Sequence, residues 1–327
     1  MSDKPRRDDK AVGERIRRAG NSTRAVHSGE RDHQDTAAVT TPIYQTSTFW
    51  FENSAKLREL QEGKSQRDEY GRYGNPTWRA VERKLCDLER AEEAVLFASG
   101  MCAITTLFFA LLPKGGHLVI TNDCYRRTRQ FIEKYLVKLD VETTVIEPAE
   151  TDKLANALRD NTSLFFTESP TNPHLRVIDV EKAVEVAHAH GVKVAIDSTF
   201  ATPLCHRPLE YGADYAIHSA TKYLGGHNDL LAGVVLGSAE ALEPIREAAG
   251  MLGGVIDAHS AYLLLRGLKT LALRMEKHNR NALQVARWLE GNAAVRRVWY
   301  PGLESHPDHA TASANLEHAR QAVRDNR

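Results

Sequence analysis

From Pro76 to Gly237 the chain switches repeatedly between two hydrophobic periods, and that alternation leaves few folds open to it. TWRAVERKLCDLERAE (77–92) sets Val81, Leu85 and Leu88 at helical spacing. AVLFASG (94–100) reads as a short buried strand ending in Gly100, and MCAITTLFFALL (101–112) as a mostly buried helix. Strands follow at HLVITND (117–123), TTVIEP (143–148), SLFFTESP (163–170), VKVAIDST (192–199), YAIHS (215–219) and LAGVVLGS (231–238). Helices are expected between them at RQFIEKYLVKL (129–139), DKLANALRD (152–160) and VEKAVEVAHAHG (180–191). Short apolar strands separated by helices predict an α/β fold, a mostly parallel sheet covered by helices on both faces. Beyond Gly253 the pattern is helical through AYLLLRGLKTLALRMEKHNRNALQVARWLEGN (261–292), and one more strand is expected at VRRVWYP (295–301).

Composition narrows the function classes. The 327 residues carry 43 basic and 43 acidic side chains, so no net charge points to nucleic acid or an acidic membrane. Four scattered cysteines form no CxxC and no regular framework, which fits a reduced, cytoplasmic compartment. The most apolar run, Leu107 to Leu112, is far too short to span a bilayer. MSDKPRRDDKAVGERIRRAGNS (1–22) mixes both charges without an apolar core, and reads as a disordered arm rather than a secretion signal.

Ligands of open α/β sheets sit beyond the carboxyl ends of the strands, so the chemistry at those ends matters most. Ser99-Gly100-Met101 lies between a strand and a helix, where free N–H groups and the positive end of the helix dipole suit a phosphate. Alone it is a weak signal, because a glycine there is often only turn chemistry. Asp197 closes the strand VKVAID, where a buried carboxylate needs either a cationic partner or a local turn donor. HSATKYLGGHND (218–229) then boxes Lys222 between the hydroxyls of Ser219 and Thr221 and the pair Gly225-Gly226. The hydroxyls can bond a phosphate while the amine reaches the other end of the same small ligand. Lysine becomes a nucleophile when desolvation or nearby cations lower its pKa. A phosphate cradle, an acid for a ring nitrogen and a carbonyl-capturing lysine together describe a pocket for pyridoxal 5'-phosphate.

These residues stand in motifs that resemble the cysteine/methionine metabolism family of pyridoxal-phosphate (PLP) enzymes, the cystathionine synthases and lyases. The motifs are TPIYQTSTF (41–49), YGRYGNPT (70–77), ASGMCA (98–103), FFTESPTNP (165–173), AIDSTFATP (195–203) and HSATKYLGGHND. TNDCYRRTRQFIE (121–133) and YPGLESHPDH (300–309) are most similar to the cystathionine γ-synthases, including the plant type. The resemblance runs from about Thr23 to about His309 and implies the PLP-dependent aminotransferase-like fold (fold type I). It divides the chain into an arm (1–22), a segment contacting a neighbouring subunit (23–73), a large PLP-binding domain (74–255), and linker helices with an incomplete C-terminal domain (256–327).

Carried over residue by residue, the resemblance makes Lys222 the cofactor's covalent anchor and the proton shuttle on the substrate's carbons. Asp197 would pair with the ring nitrogen. Gly100, Met101, Ser219 and Thr221 would bind the phosphate, Tyr125 would stack on the ring and serve as a base, and Asn172 would lie near the phenolic oxygen. Tyr70 and Arg72 would reach into a neighbouring subunit's phosphate site within a homodimer or homotetramer, where the planar fork of arginine suits a phosphate. Tyr44 would line the substrate entrance. HPDH (306–309) has no cysteine or acid cluster beside it and is assigned no metal. The implied reaction joins cysteine to an activated homoserine ester, giving cystathionine. Cystathionine β- or γ-elimination and O-acylhomoserine sulfhydrylation use the same machinery. The resemblance fades after HPDH, where family members continue and carry the arginine that clamps the substrate's α-carboxylate. A cofactor-binding subunit with little or no turnover is therefore the competing expectation.

Overall fold

The computed structural model describes residues 14, 16, 18–29, 38–65, 67–148 and 153–321. Most of the expected arm, and the chain after 321, lie outside the described residues. The elements in chain order are α1 (Asn21–His27), α2 (Ser54–Gln61), α3 (Pro76–Glu89), β1 (Glu93–Phe97), α4 (Gly100–Leu111), β2 (His117–Thr121) and α5 (Arg126–Lys134). They continue with β3 (Glu142–Ile146), α6 (Leu154–Ala157), β4 (Thr162–Glu168), α7 (Val180–His188), β5 (Lys193–Asp197), β6 (Tyr215–His218) and β7 (Gly233–Gly237). Four helices close the chain: α8 (Ala239–Leu252), α9 (Ala258–Leu268), α10 (Leu271–Glu290) and α11 (His309–Gln321).

The seven strands form one sheet in the order β1-β7-β6-β5-β4-β2-β3, with β7 antiparallel to both neighbours and every other pairing parallel. The pleat sorts alternate residues to opposite faces. Val95, Phe97, Leu118, Ile120, Leu164, Phe166, Ala195, Ile217 and Val235 join the core beneath α4, α5 and α8. Their neighbours Val119, Phe165, Val194 and Ile196 pack against α7, while Leu96, Ala216, Val234 and Leu236 meet α3, α9 and α10. A sheet covered on both faces explains why its strands read as continuous apolar runs.

The expected strands overrun the observed ones by one to three residues at the carboxyl end, and VKVAIDST and LAGVVLGS overrun at the amino end as well. Ser99, Asp123, Ser169, Ser198 and Ser219 leave the ladder and become loops. The sequence pattern also missed α8, because Pro244 inside it reads as a helix breaker. Of the helix expected at 152–160, only the single turn α6 is α-helical among the described residues, and the chain is extended again at Leu158. VRRVWYP is a correction: it pairs with no strand among the described residues. Its Trp299 is held instead by the Arg297 guanidinium 3.9 Å above the ring and by edge contacts with His174 and His306.

HPDH fastens the last helix to the sheet. Asp308 accepts two bonds from the Arg176 guanidinium, at 2.6 and 2.9 Å, and a third from Val177 N–H at 2.9 Å. Further along, the buried Arg207 donates to Glu210 and to the Ala319 carbonyl of α11. No described helix is long and apolar enough to cross a membrane.

His218, at the end of β6, points to the α3 face, where its Nε2 lies 2.9 Å from Glu89 Oε2 with both side chains fully buried. Burial pushes the Glu89 carboxyl up, and His218 opposes that. Removing one partner strands the other, so His218→Ala should cost about 3–5 kcal/mol in urea denaturation. The Glu89→Ala/His218→Ala double variant should lose less than the sum of the singles, which a double-mutant cycle measures.

Candidate active site

The candidate site is built where β4, β5 and β6 end side by side. Register pairs Glu168 with Asp197, and Asp197 with Ile217, so both acids project onto the α4/α5/α8 face at one level. Asp197 is 7% exposed. Its Oδ1 accepts from Thr199 N–H at 3.0 Å and from the Thr199 hydroxyl at 2.5 Å, while Oδ2 has no partner among the described residues. The same hydroxyl accepts from Ser219 N–H at 2.7 Å, which ties the end of β5 to the end of β6. Burial pushes the Asp197 carboxyl up, and the Thr199 bonds work against it.

Ser219 lies against the start of α4. A Cβ added to Gly100 would sit 2.7 Å from Ser219 Cβ, so only glycine leaves this cradle open. Gly233 plays the same part beneath it, since a Cβ there would meet the Ser99 carbonyl at 2.2 Å. Ser99 caps α4 by accepting from Cys102 N–H at 3.1 Å, and the Gly100 and Met101 N–H groups keep no helical partner. That end of a twelve-residue helix is an anion cradle facing the Ser219 hydroxyl.

Thr221 is committed differently from the expectation. Its hydroxyl bonds both the carbonyl and the N–H of Ala232, at 3.2 and 3.0 Å, and closes the turn that carries Lys222. Lys222 is exposed, and its amine makes no bond to the described residues. The Gly226 N–H bonds its carbonyl at 2.8 Å.

The acids extend the network to the other side. Glu168 Oε1 accepts from Tyr125 N–H at 2.5 Å, and the Asn172 N–H also bonds this carboxylate. Tyr125, half-exposed at the start of α5, and Asn172 line a cleft of about 530 Å³ with Cys124, Arg126, Arg129 and Glu133. Two hydrogen-bonded groups thus meet at the paired strand ends: Ser219, Thr199 and Asp197 on one side, and Glu168 with the Tyr125 and Asn172 N–H groups on the other, brought side by side by register.

Tyr70, Arg72 and Tyr44 stand apart from this network. Arg72 donates to the Gly250 carbonyl of α8 at 2.6 Å and lies over the rings of Tyr70 and Tyr73. Tyr44 is pinned at the start of α3, its N–H on the Thr77 hydroxyl and its carbonyl on Asn75 Nδ2. Glu168 and Thr199 escaped the sequence reading. Glu168 sat inside the quoted FFTESPTNP motif, in register with Asp197 only once the strands are paired.

The chain matches the family model of Cys/Met metabolism PLP-dependent enzymes over residues 22–323. It is 48% identical over 294 residues to cystathionine gamma-synthase 1, chloroplastic, of Arabidopsis thaliana, covering 89% of this chain and 52% of that relative. It is 38% identical over 295 residues to the cystathionine beta-lyase of Lactococcus lactis subsp. cremoris, covering 90% and 75%. The solved structure of metB from Corynebacterium glutamicum superposes with a TM-score of 0.86 at 37% identity, covering 90% of this chain and 75% of that one. The chain spans about half the length of the plant relatives it matches.

PLP is the cofactor of these enzymes, and the residues present fit it. The cradle at Gly100, Met101 and Ser219 suits the phosphate, the open oxygen of buried Asp197 suits a protonated ring nitrogen, and the unbonded amine of Lys222 suits the aldehyde. Gly100→Ala should fill the cradle and push Ser219 aside. Loss of a charge-assisted bond predicts cofactor binding weaker by about tenfold or more, read by titrating the purified chain with PLP. Urea stability of the cofactor-free chain controls for misfolding.

Proposed function

We propose a γ-replacement activity for this chain, which belongs to the family of Cys/Met metabolism PLP-dependent enzymes. The thiol of cysteine displaces the ester group at Cγ of an activated homoserine, forming a C–S bond and releasing the acid, to give cystathionine. The observation that carries the reading is the unbonded Lys222 amine at the head of a turn locked by Thr221 and Ala232. The Lys222 backbone N–H bonds the carbonyl of Ser219, whose own N–H leads through Thr199 to Asp197. PLP supplies an electron sink that makes the carbon-bound protons of an amino acid acidic.

The chain's own residues divide the remaining work. Lys222 moves protons at Cα and Cβ of the substrate, and its lack of partners leaves it free to swing between them. Asp197, held by Thr199 through one oxygen, offers its other oxygen to a ring nitrogen at the pocket floor. Tyr125 and Asn172 wall the cleft, and Arg126 and Arg129 stand beside them. Asp123 and Glu133 line the same cleft, so its charges are balanced. The likeness to the plant synthases favours synthesis over elimination. The likeness to cystathionine beta-lyase keeps elimination from cystathionine as the second reading. Self-association and a cytoplasmic setting belong to the same proposal, with Tyr70 and Arg72 serving a neighbouring subunit from their place at the end of α8.

Product analysis decides between the readings. Given cysteine with a succinyl or phosphoryl homoserine ester, the chain should form cystathionine, and Lys222→Ala should lose about 10²–10⁴-fold of that rate. Release of ammonia and a 2-oxo acid from cystathionine, without any thiol addition product, would replace synthesis by elimination. A chain that binds PLP yet makes neither product would be the cofactor-binding subunit without turnover.

A further inference from the structure

Glu168 is the one buried acid of the pocket to which the proposed reaction gives no task. It is 6% exposed and sits in register with Asp197 on the neighbouring strand. The two side chains share a face of the sheet, and neither has a lysine or arginine as a hydrogen-bond partner. Two carboxylates so placed cannot both ionise cheaply in a water-poor site. One of them must keep a proton until a cation arrives.

The surroundings decide which. Asp197 has two donors on one oxygen, both from Thr199, and His218 on β6 adds a favourable contribution. Glu168 faces a less favourable set of groups. Asp197 lies on one side and Asp123, in the loop after β2, on another, and both add to what burial already does. Asp123 is itself engaged by Thr171 and His174. The neighbouring Cys124 thiol is pushed up to about 12 by burial and by Glu168, so it stays neutral. Arg129 on α5 is turned to the Asn122 carbonyl. Against this stand only the two backbone N–H groups of Tyr125 and Asn172, which a neutral carboxyl oxygen also accepts.

We propose that Glu168 is a positioning residue that works in its protonated form: it ties the loops bearing Tyr125 and Asn172 to the end of β4 and leaves Asp197 the single negative charge of the pocket floor. The inference rests on the cofactor site and not on the γ-replacement reading, so either can fail alone. Two substitutions separate the tie from the charge. Glu168→Gln keeps a carbonyl oxygen for the two N–H groups and is permanently neutral. Glu168→Ala removes both.

PLP titration of the purified full chain, followed by visible absorbance, should give Glu168→Gln an affinity within about twofold of the wild type. Glu168→Ala should bind about tenfold or more weakly. The second readout uses the cofactor-free chain in urea between about pH 5 and 9. A carboxyl whose folded pKa is raised adds stability at low pH and loses it as pH rises through that value. The wild type should therefore lose stability on going from acid to alkaline pH, and Glu168→Gln should lose less, with the two coinciding at the acid end. A Glu168→Gln chain that binds as poorly as Glu168→Ala would overturn the proposal, because the negative charge would then be what matters. Superimposable pH curves would overturn it as well.

Discussion

The parallel pairing of β4, β5 and β6 is the constraint on which the rest of the site depends. Register brings Glu168 beside Asp197 and Asp197 beside Ile217, so three chain segments far apart in sequence leave the sheet at one level. A slip of one residue would turn each side chain to the opposite face. Asp197 would then face α7 instead of α4, and Glu168 would lose Tyr125. The apolar alternation on both faces fixes that register, since Phe166 and Ala195 belong to one core and Phe165, Val194 and Ile196 to the other.

Burial at those strand ends creates an electrostatic problem that the loops resolve locally. Thr199 does most of this, because its hydroxyl gives to Asp197 and receives from Ser219. A small side chain thereby couples the acid at the pocket floor to the phosphate cradle. His218 takes part from the other face of the sheet. Its ring is bonded to Glu89 of α3, and it also works against the upward push of burial on Asp197 across β5 and β6. Helix α3 and the acid at the pocket floor are thus linked through one imidazole. Such a link costs stability if either partner is lost, since both ends are buried.

Most of the sheet was legible in the sequence because both faces are covered, which leaves each strand an apolar run of four to seven residues. The errors gathered where pattern and chemistry part. Strand ends were read too long because the N–H groups of Ser169 and Ser198 still reach the next strand, while their side chains, like that of Ser99, turn to caps and loops. VRRVWYP looked like a strand by its β-branched and aromatic residues, but Trp299 answers to Arg297 and two histidines instead of a ladder. Lys222, Asp197, Ser219 and Gly100 could be read because each lies beside a strand end that the periodicity locates. Thr221 was read by its proximity to Lys222, and only the fold shows its hydroxyl occupied by Ala232. Glu168 and Thr199 carry no local pattern that separates them from ordinary strand-end residues. Their roles come from pairing.

On the proposed reading, the cofactor cradle is built into the sheet while the substrate meets a more open cleft, with Tyr125 and Asn172 at the border of the two. Everything from Gly100 to Lys222 that suits PLP is set by the sheet and its first helix, where a change of side chain meets close packing. Tyr125, Arg126, Arg129 and Asn172 line a cleft that opens outward, on loops and a helix start held by single hydrogen bonds. Residues there can change without disturbing the network beneath them, and the same fold can therefore serve synthesis or elimination. Glu168 is the point where the two parts meet, since it is packed with Asp197 below and bonded to the Tyr125 and Asn172 loops above. A shift in its protonation would change the charge of the floor while the tie to the two loops stays made, since a neutral carboxyl oxygen accepts the same N–H groups.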